Sequence, residues 1–166
     1  MAKVYKAAVI TVSDKGSAGE REDLSGERVV GILAEAGFAL EKRLILPDER
    51  KPLADTLAGL CDSGAVDFIV TTGGTGFSPR DFTPEATLDV AERLAPGLAE
   101  LMRAEGFKKT PRAMLSRAVA VIRGKTLIVN LPGSPKGADE NLRAVLPILD
   151  HALEVLVGDS GDCARP

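Results

Sequence analysis

Short apolar runs alternate along this chain with segments whose apolar residues recur at helical spacing. The run from Lys6 to Val12 reads as a first strand. After a polar stretch, a helix is expected to begin near Asp23, setting Gly26, Val29, Val30 and Leu33 on one face, with Gly37 as its stop. Phe38 to Leu46 reads as the second strand. Asp48 is placed to cap a helix carrying Leu53, Leu57 and Leu60, and Phe68 to Thr72 reads as a buried third strand. Thr83-Pro84-Glu85 predicts another helix start: threonine as cap, proline in the first turn, and glutamate against the positive helix end. Ala118 to Ile122 and Thr126 to Leu131 flank Arg123-Gly124-Lys125, a spacing that suits a hairpin and so one antiparallel strand. A last helix is expected from Ser134-Pro135 through Leu142, Val145, Leu149 and Leu153, kinked at Pro147. The alternation predicts a single α/β domain over residues 1–158, a three-layer α/β/α sandwich with helices on both faces of a mostly parallel, mixed sheet. Residues 159–166 lack apolar periodicity and are expected to form a disordered tail.

Composition narrows the class of partner. With 21 basic and 24 acidic residues the formal net charge is −3, so no field draws the chain to nucleic acid or an anionic membrane. The run at residues 4–12 is too short to span a bilayer. Cys61 and Cys163 are too few for a disulfide framework, and a reducing, cytoplasmic setting is expected.

The chemistry concentrates where the third strand ends, in TTGGTGFSPRDFTPEAT at 71 to 87. Gly73, Gly74 and Gly76 allow positive-φ turns and bring backbone N–H groups close to an anion, with Thr72 and Thr75 beside them. Taken alone, the glycines fit a ligand-free tight turn equally well. The spacing matches neither a P-loop nor a dinucleotide fingerprint. Arg80 and Asp81 follow at once, a guanidinium suited to phosphate oxygens and a carboxylate suited to Mg²⁺, or else a surface ion pair. Three further polar turns also follow strands: Ser13-Asp14, Pro47-Asp48 and Pro132-Gly133-Ser134. In open α/β sheets such turns converge on one crevice. His151, the only histidine, has no metal-ligating neighbour in the sequence and reads as a surface residue.

TVSD at 11 to 14, LPDE at 46 to 49, the glycine segment, MLSR at 114 to 117 and NLPGSPKG at 130 to 137 together resemble the Mog-type family of molybdopterin adenylyltransferases, similar also to the gephyrin G domain. The resemblance runs from Val4 to about Val157. It implies a trimeric enzyme that binds molybdopterin and Mg²⁺-ATP, transfers AMP to the pterin's terminal phosphate, and supplies a metal-inserting enzyme. It assigns Asp48 and Asp81 to the metal and Ser116 to the pterin. With those assignments, Arg80 is expected to stabilise charge, and Thr72, Gly73, Gly74, Thr75 and Gly76 to cradle phosphate. Ser116, Pro132, Gly133 and Ser134 are expected to hold the pterin, while Ser13 and Asp14 form a turn or touch the nucleotide. The competing readings are a non-catalytic molybdopterin carrier of the same fold, a domain like that of competence-damage-inducible proteins, and a purely structural trimer. For the trimer contact, Leu98, Leu101 and Met102 in the segment Pro96 to Phe107 are one candidate, with core burial as the alternative.

Overall fold

The computed structural model describes residues 3–158, so the expected disordered tail and Cys163 lie outside the described residues. Six strands form one sheet: β1 (Lys6–Val12), β2 (Ala39–Leu46), β3 (Phe68–Thr72), β4 (Arg93–Leu94), β5 (Ala120–Arg123) and β6 (Thr126–Leu131). Their order is β2-β1-β3-β6-β5-β4. The pairs β1–β2, β1–β3 and β3–β6 are parallel, whereas β5 is antiparallel to both β6 and β4. The hairpin at Gly124 is therefore where the sheet becomes mixed, and its glycine takes φ of 56°, as a two-residue turn demands.

The strands β1, β3 and β6 are buried on both faces. Helices cover each side, which is why these strands read as continuous apolar runs rather than as alternating ones. Ala7, Val9, Phe68, Val70, Leu127 and Val129 face α2 (Leu24–Glu35), α5 (Pro96–Phe107) and α6 (Pro135–Val157). Ala8, Ile10, Ile69 and Ile128 face α3 (Arg50–Asp62) and α4 (Thr83–Asp89). Each fully buried Ile, Leu or Phe contributes about 1.5–3 kcal/mol by leaving water. The result is the three-layer sandwich expected from the pattern. The edge strand β2 is largely exposed and carries Glu41, Lys42 and Arg43, charges that discourage pairing with a second sheet.

Several local expectations shift. The polar loop after β1 contains one helical turn, α1 (Asp14–Ser17), and the two-residue β4 has no apolar signature of its own. Asp48 does not cap α3: Glu49 occupies the cap position, with no side-chain bond, because the Asp48 carboxylate is engaged elsewhere. Thr83 is the first residue of α4 rather than its cap. Its N–H donates to the Gly74 carbonyl at 3.1 Å, drawing the helix start onto the glycine loop. The last helix continues through Pro147 to Val157. Leu98 and Met102 are buried in the main core against the sheet and α6, with Leu101 packed against it, so core packing accounts for all three.

Sheet order decides where a ligand fits. From β1 the chain crosses through α2 to one side, reaching β2, and then returns through α3 to β3 on the other side. The loops after β1 and β3 diverge, opening a crevice at the carboxyl ends of these strands.

Candidate functional site

The glycine loop forms the floor of that crevice. Gly73 has φ of 102°, and a Cβ there would lie 2.3 Å from the Val12 carbonyl oxygen. Gly74 has φ of 66°, and its Cβ would lie 2.3 Å from Thr83 Oγ1. No side chain fits at either position. The Gly73 N–H donates to the Leu131 carbonyl at 3.1 Å, anchoring the loop to β6. The next three N–H groups, of Gly74, Thr75 and Gly76, have no acceptor among the described residues. Backbone donors of this kind are ordinarily paired, and here they border open space, an arrangement suited to an anion.

Two cavities meet at the loop. One, of about 700 Å³, is bordered by Ser13, Asp48, Thr72, Gly73 and Ser134. The other, of about 490 Å³, is bordered by Thr75, Gly76, Ser116, Pro132 and Asn141. Gly74, Asp81 and Gly133 belong to the walls of both. The crevice is thus bipartite, with Asp81 at the junction. The four polar turns converge as their positions after strands require.

Carboxylates are arranged unequally. Asp14 and Asp48 exchange backbone bonds: the Asp14 N–H donates to Asp48 Oδ2 at 2.8 Å, and the Asp48 N–H donates to Asp14 Oδ1 at 3.0 Å. Arg80 reaches across from the glycine loop and donates Nε and Nη2 to Asp14 at 2.6 and 2.9 Å. That bidentate bond, with help from the Asp48 N–H, holds the Asp14 carboxyl below its usual range. Asp48 lies on the other side of the balance. Burial pushes its carboxyl up, and the neighbouring charges of Asp14 and Asp81 push in the same direction, outweighing the Asp14 N–H and Arg80. Arg80 therefore pairs with Asp14 and not with its sequence neighbour Asp81, whose Oδ2 instead accepts the Ser78 N–H at 3.1 Å.

A divalent cation would relieve the strain on Asp48. Among the described residues no group of three or more His, Cys, Asp or Glu is arranged to hold a metal by itself. Two carboxylates bordering one cavity fit Mg²⁺, which commonly takes one or two carboxylates and completes its shell with water and substrate phosphates. Thr83 Oγ1, buried beside Gly74 without a hydrogen-bond partner among the described residues, adds an oxygen to this corner.

The remaining residues divide between lining and bracing. Ser13 Oγ and Ser134 Oγ cap α1 and α6, accepting the N–H groups of Gly16 and Gly137. The Thr72 hydroxyl is engaged with Ser25 Oγ at 2.5 Å and donates to the Pro132 carbonyl at 2.7 Å, so it braces the Pro132-Gly133 turn. Asn130, fully buried, donates to Thr71 and Thr87 and accepts the Val119 N–H, tying β3, β6 and α4 together under the site. Ser116 follows a single 3-10 segment, Pro111–Leu115, and its Oγ accepts the Ala118 N–H at 3.3 Å. His151 lies exposed on α6, 3.8 Å from Glu154 and away from the crevice. Sequence reasoning missed Arg117, although it stands inside the MLSR motif. A cation immediately after Ser116, in a loop, was the available signal.

A family profile described as "Probable molybdopterin binding domain" matches residues 8–151. Over 156 residues the chain is 43% identical to a molybdopterin adenylyltransferase of Helicobacter pylori J99, covering 91% of this chain and 87% of that protein. The protein of the same name from Escherichia coli K12 is 43% identical over 143 residues, covering 84% of this chain and 73% of that protein. A crystal structure of the molybdopterin biosynthesis enzyme MoaB from Thermus thermophilus superposes with a TM-score of 0.89 at 50% identity, covering 93% of this chain and 98% of that one. With residues 8–151 matched and the fold shared nearly end to end, the chain belongs to the molybdopterin-binding domain family of molybdenum cofactor biosynthesis.

Proposed function

We propose that the chain is a nucleotidyltransferase that moves AMP from ATP to the terminal phosphate of molybdopterin, releasing pyrophosphate. The observation that carries this reading is the bipartite crevice with unpaired N–H groups and Asp81 at its junction. Two substrates that react phosphate to phosphate need adjoining pockets whose shared wall handles the charge. Relatives named molybdopterin adenylyltransferase, 43% identical to this chain, support the same activity.

The nucleotide is assigned to the lobe beside Ser13, Asp14 and Asp48, with its phosphates over Gly73 to Gly76. The pterin is assigned to the lobe beside Ser116, Pro132 and Gly133, its phosphate directed at the junction; Ser134, expected beside the pterin, borders the nucleotide lobe instead. An oxygen of that phosphate attacks the α-phosphorus of ATP. The bond from the α-phosphorus to the bridging oxygen breaks, pyrophosphate leaves, and a new phosphoanhydride joins AMP to the pterin. Asp48 and Asp81 would hold Mg²⁺, which would supply neutralisation of charge on the phosphates. Arg80 must exchange Asp14 for a phosphate oxygen to stabilise the leaving group. The N–H groups of Gly74, Thr75 and Gly76 are already oriented and need no rearrangement.

The reading extends to a homotrimer that passes its product to a metal-inserting enzyme and works in the cytoplasm. The exposed apolar side chains of Leu94, Phe107, Met114 and Leu115 support an assembly, and light scattering of the purified protein checks the mass. Among the described residues no helix is long and apolar enough to cross a membrane. Isotope tracing tests the chemistry. Label on the α-phosphorus of ATP is expected in the pterin product and label on the γ-phosphorus in pyrophosphate. Release of ADP or orthophosphate as the first product would exclude AMP transfer.

A further inference from the structure

One side chain holds both ends of the segment Gly76 to Asp81, yet borders neither of the two substrate lobes. Arg117 Nε donates to the Gly76 carbonyl at 2.8 Å and Nη2 to the Asp81 carbonyl at 2.6 Å. Nη1 donates to the Glu85 carboxylate near the start of α4, and the Arg117 backbone N–H donates to the Thr75 carbonyl at 2.9 Å. A single planar guanidinium thus draws together the two ends of the segment Gly76 to Asp81 and fastens them to the first turn of α4. The Glu85 carboxyl reflects the arrangement. Burial pushes it up, but the Arg117 hydrogen bond and charge, with help from its own backbone and Arg50, bring it below its usual range.

The same residue is covalently joined to Ser116 in the other lobe. That serine is fixed from the opposite side, where Arg103 Nη1 on α5 donates to the Ser116 and Ala118 carbonyls at 3.2 and 2.9 Å. Ser116 and Asp81 come from segments 35 positions apart in the chain, and Arg117 is the bridge between them.

We infer that Arg117 is a positioning residue: it sets the separation between the pterin-side Ser116 and the phosphate-side Asp81, so that the two substrates meet in line. This rests on the adenylyltransferase reading given above. Because Arg117 does not border the substrate lobes, its loss acts on the rate of transfer rather than on either affinity. A misplacement of about 1 Å at a reacting centre costs about 100-fold in rate. Lysine cannot replace it, since one ammonium on a flexible stem does not span three separated acceptors as a rigid fork does.

The test compares wild type, Arg117→Lys and Glu85→Gln. Steady-state kinetics with Mg²⁺-ATP and molybdopterin are measured together with amide hydrogen exchange of the substrate-free protein. Arg117→Lys is expected to lower kcat by about 100-fold while each KM stays within about threefold, the pattern of an interaction that matters only at the transition state. Exchange is expected to rise about tenfold at Gly76 to Asp81 and at Ser116 to Ala118 together, with the central strands unchanged. Glu85→Gln, which keeps the guanidinium but neutralises its charged partner, is expected to move both readouts in the same direction by less. It serves as the test if the lysine variant does not fold. An unchanged kcat, a loss confined to KM, or exchange rising uniformly along the chain would overturn the assignment. Absence of turnover in wild type would refute the adenylyltransferase reading instead, and linked exchange at the two segments would still report the clamp.

Discussion

Asp48 in the crevice and the carboxylates of the outer surface are treated in opposite ways. Outside, Asp62, Asp89 and Asp139 each accept bonds from arginines, and all three lie below the usual carboxyl range. At Asp62 and Asp89 the arginine bond is the leading cause; at Asp139 burial opposes it, and Arg28 with Arg143 outweighs the burial. Asp48 alone, among the described carboxylates with a displaced value, lies above it, driven by burial and by the charges of Asp14 and Asp81. A fold assembled only for stability would pair or neutralise that group. Keeping it half-buried beside like charges is the mark of a site built for something else, and a cation bound with phosphates is what these oxygens suit.

The sharpest way to break this contrast is Asp81→Ala. Its carboxylate accepts one bond from Ser78 and otherwise borders both lobes, so AMP transfer is expected to fall by at least about 1,000-fold with the fold intact. A rate within tenfold of wild type, together with an unchanged circular dichroism spectrum, would remove Asp81 from the site.

Asp48→Asn probes the other carboxylate and carries a sign. A carboxyl raised in the native state costs no stability below its unfolded pKa, where both states are protonated. It costs stability increasingly as pH rises toward the native value, and the cost is constant above that. Replacing it with an amide removes this penalty. Chemical denaturation at neutral pH is therefore expected to show the variant as stable as wild type or more so, while transfer falls by about 100-fold. A clear loss of stability would mean Asp48 serves the fold. Asp14 behaves oppositely: its lowered carboxyl stabilises above the unfolded pKa, and that contribution is lost as pH falls through the native value.

Backbone freedom gives a smaller, structural effect. Gly73→Ala places a Cβ against the Val12 carbonyl in a left-handed conformation, and is expected to cost about 1–3 kcal/mol in urea unfolding. The smallest effect belongs to the surface. Arg50→Met breaks the exposed pair with Asp89, which solvent screens, so both stability and turnover should barely move.

The elements legible in the sequence are those whose cause is local. Strands β1, β3 and β6 declared themselves as apolar runs because both faces are buried, and Gly37 marked the end of α2 with φ of 86°. What stayed hidden depends on partners distant along the chain. Asp48 looked like a helix cap, but its true partner, Asp14, is 34 positions away. An Arg80–Asp81 ion pair was one of two readings, but the partner of Arg80 is 66 positions away, and Arg117 reaches back 41 positions to Gly76. The strand β4, two residues paired only with β5, has too little sequence to show a period. The polar turns of the crevice were readable because each follows a strand, while the junction of two lobes at Asp81 emerges only from sheet order.

The most direct test of the central claim is a single-turnover reaction of purified protein with Mg²⁺-ATP and molybdopterin, run beside Asp81→Ala, following adenylylated pterin and pyrophosphate in equal amounts. Stoichiometric product is expected from the wild type and almost none from the folded variant. Molybdopterin binding without product from the wild type, or equal product from both proteins, would contradict it.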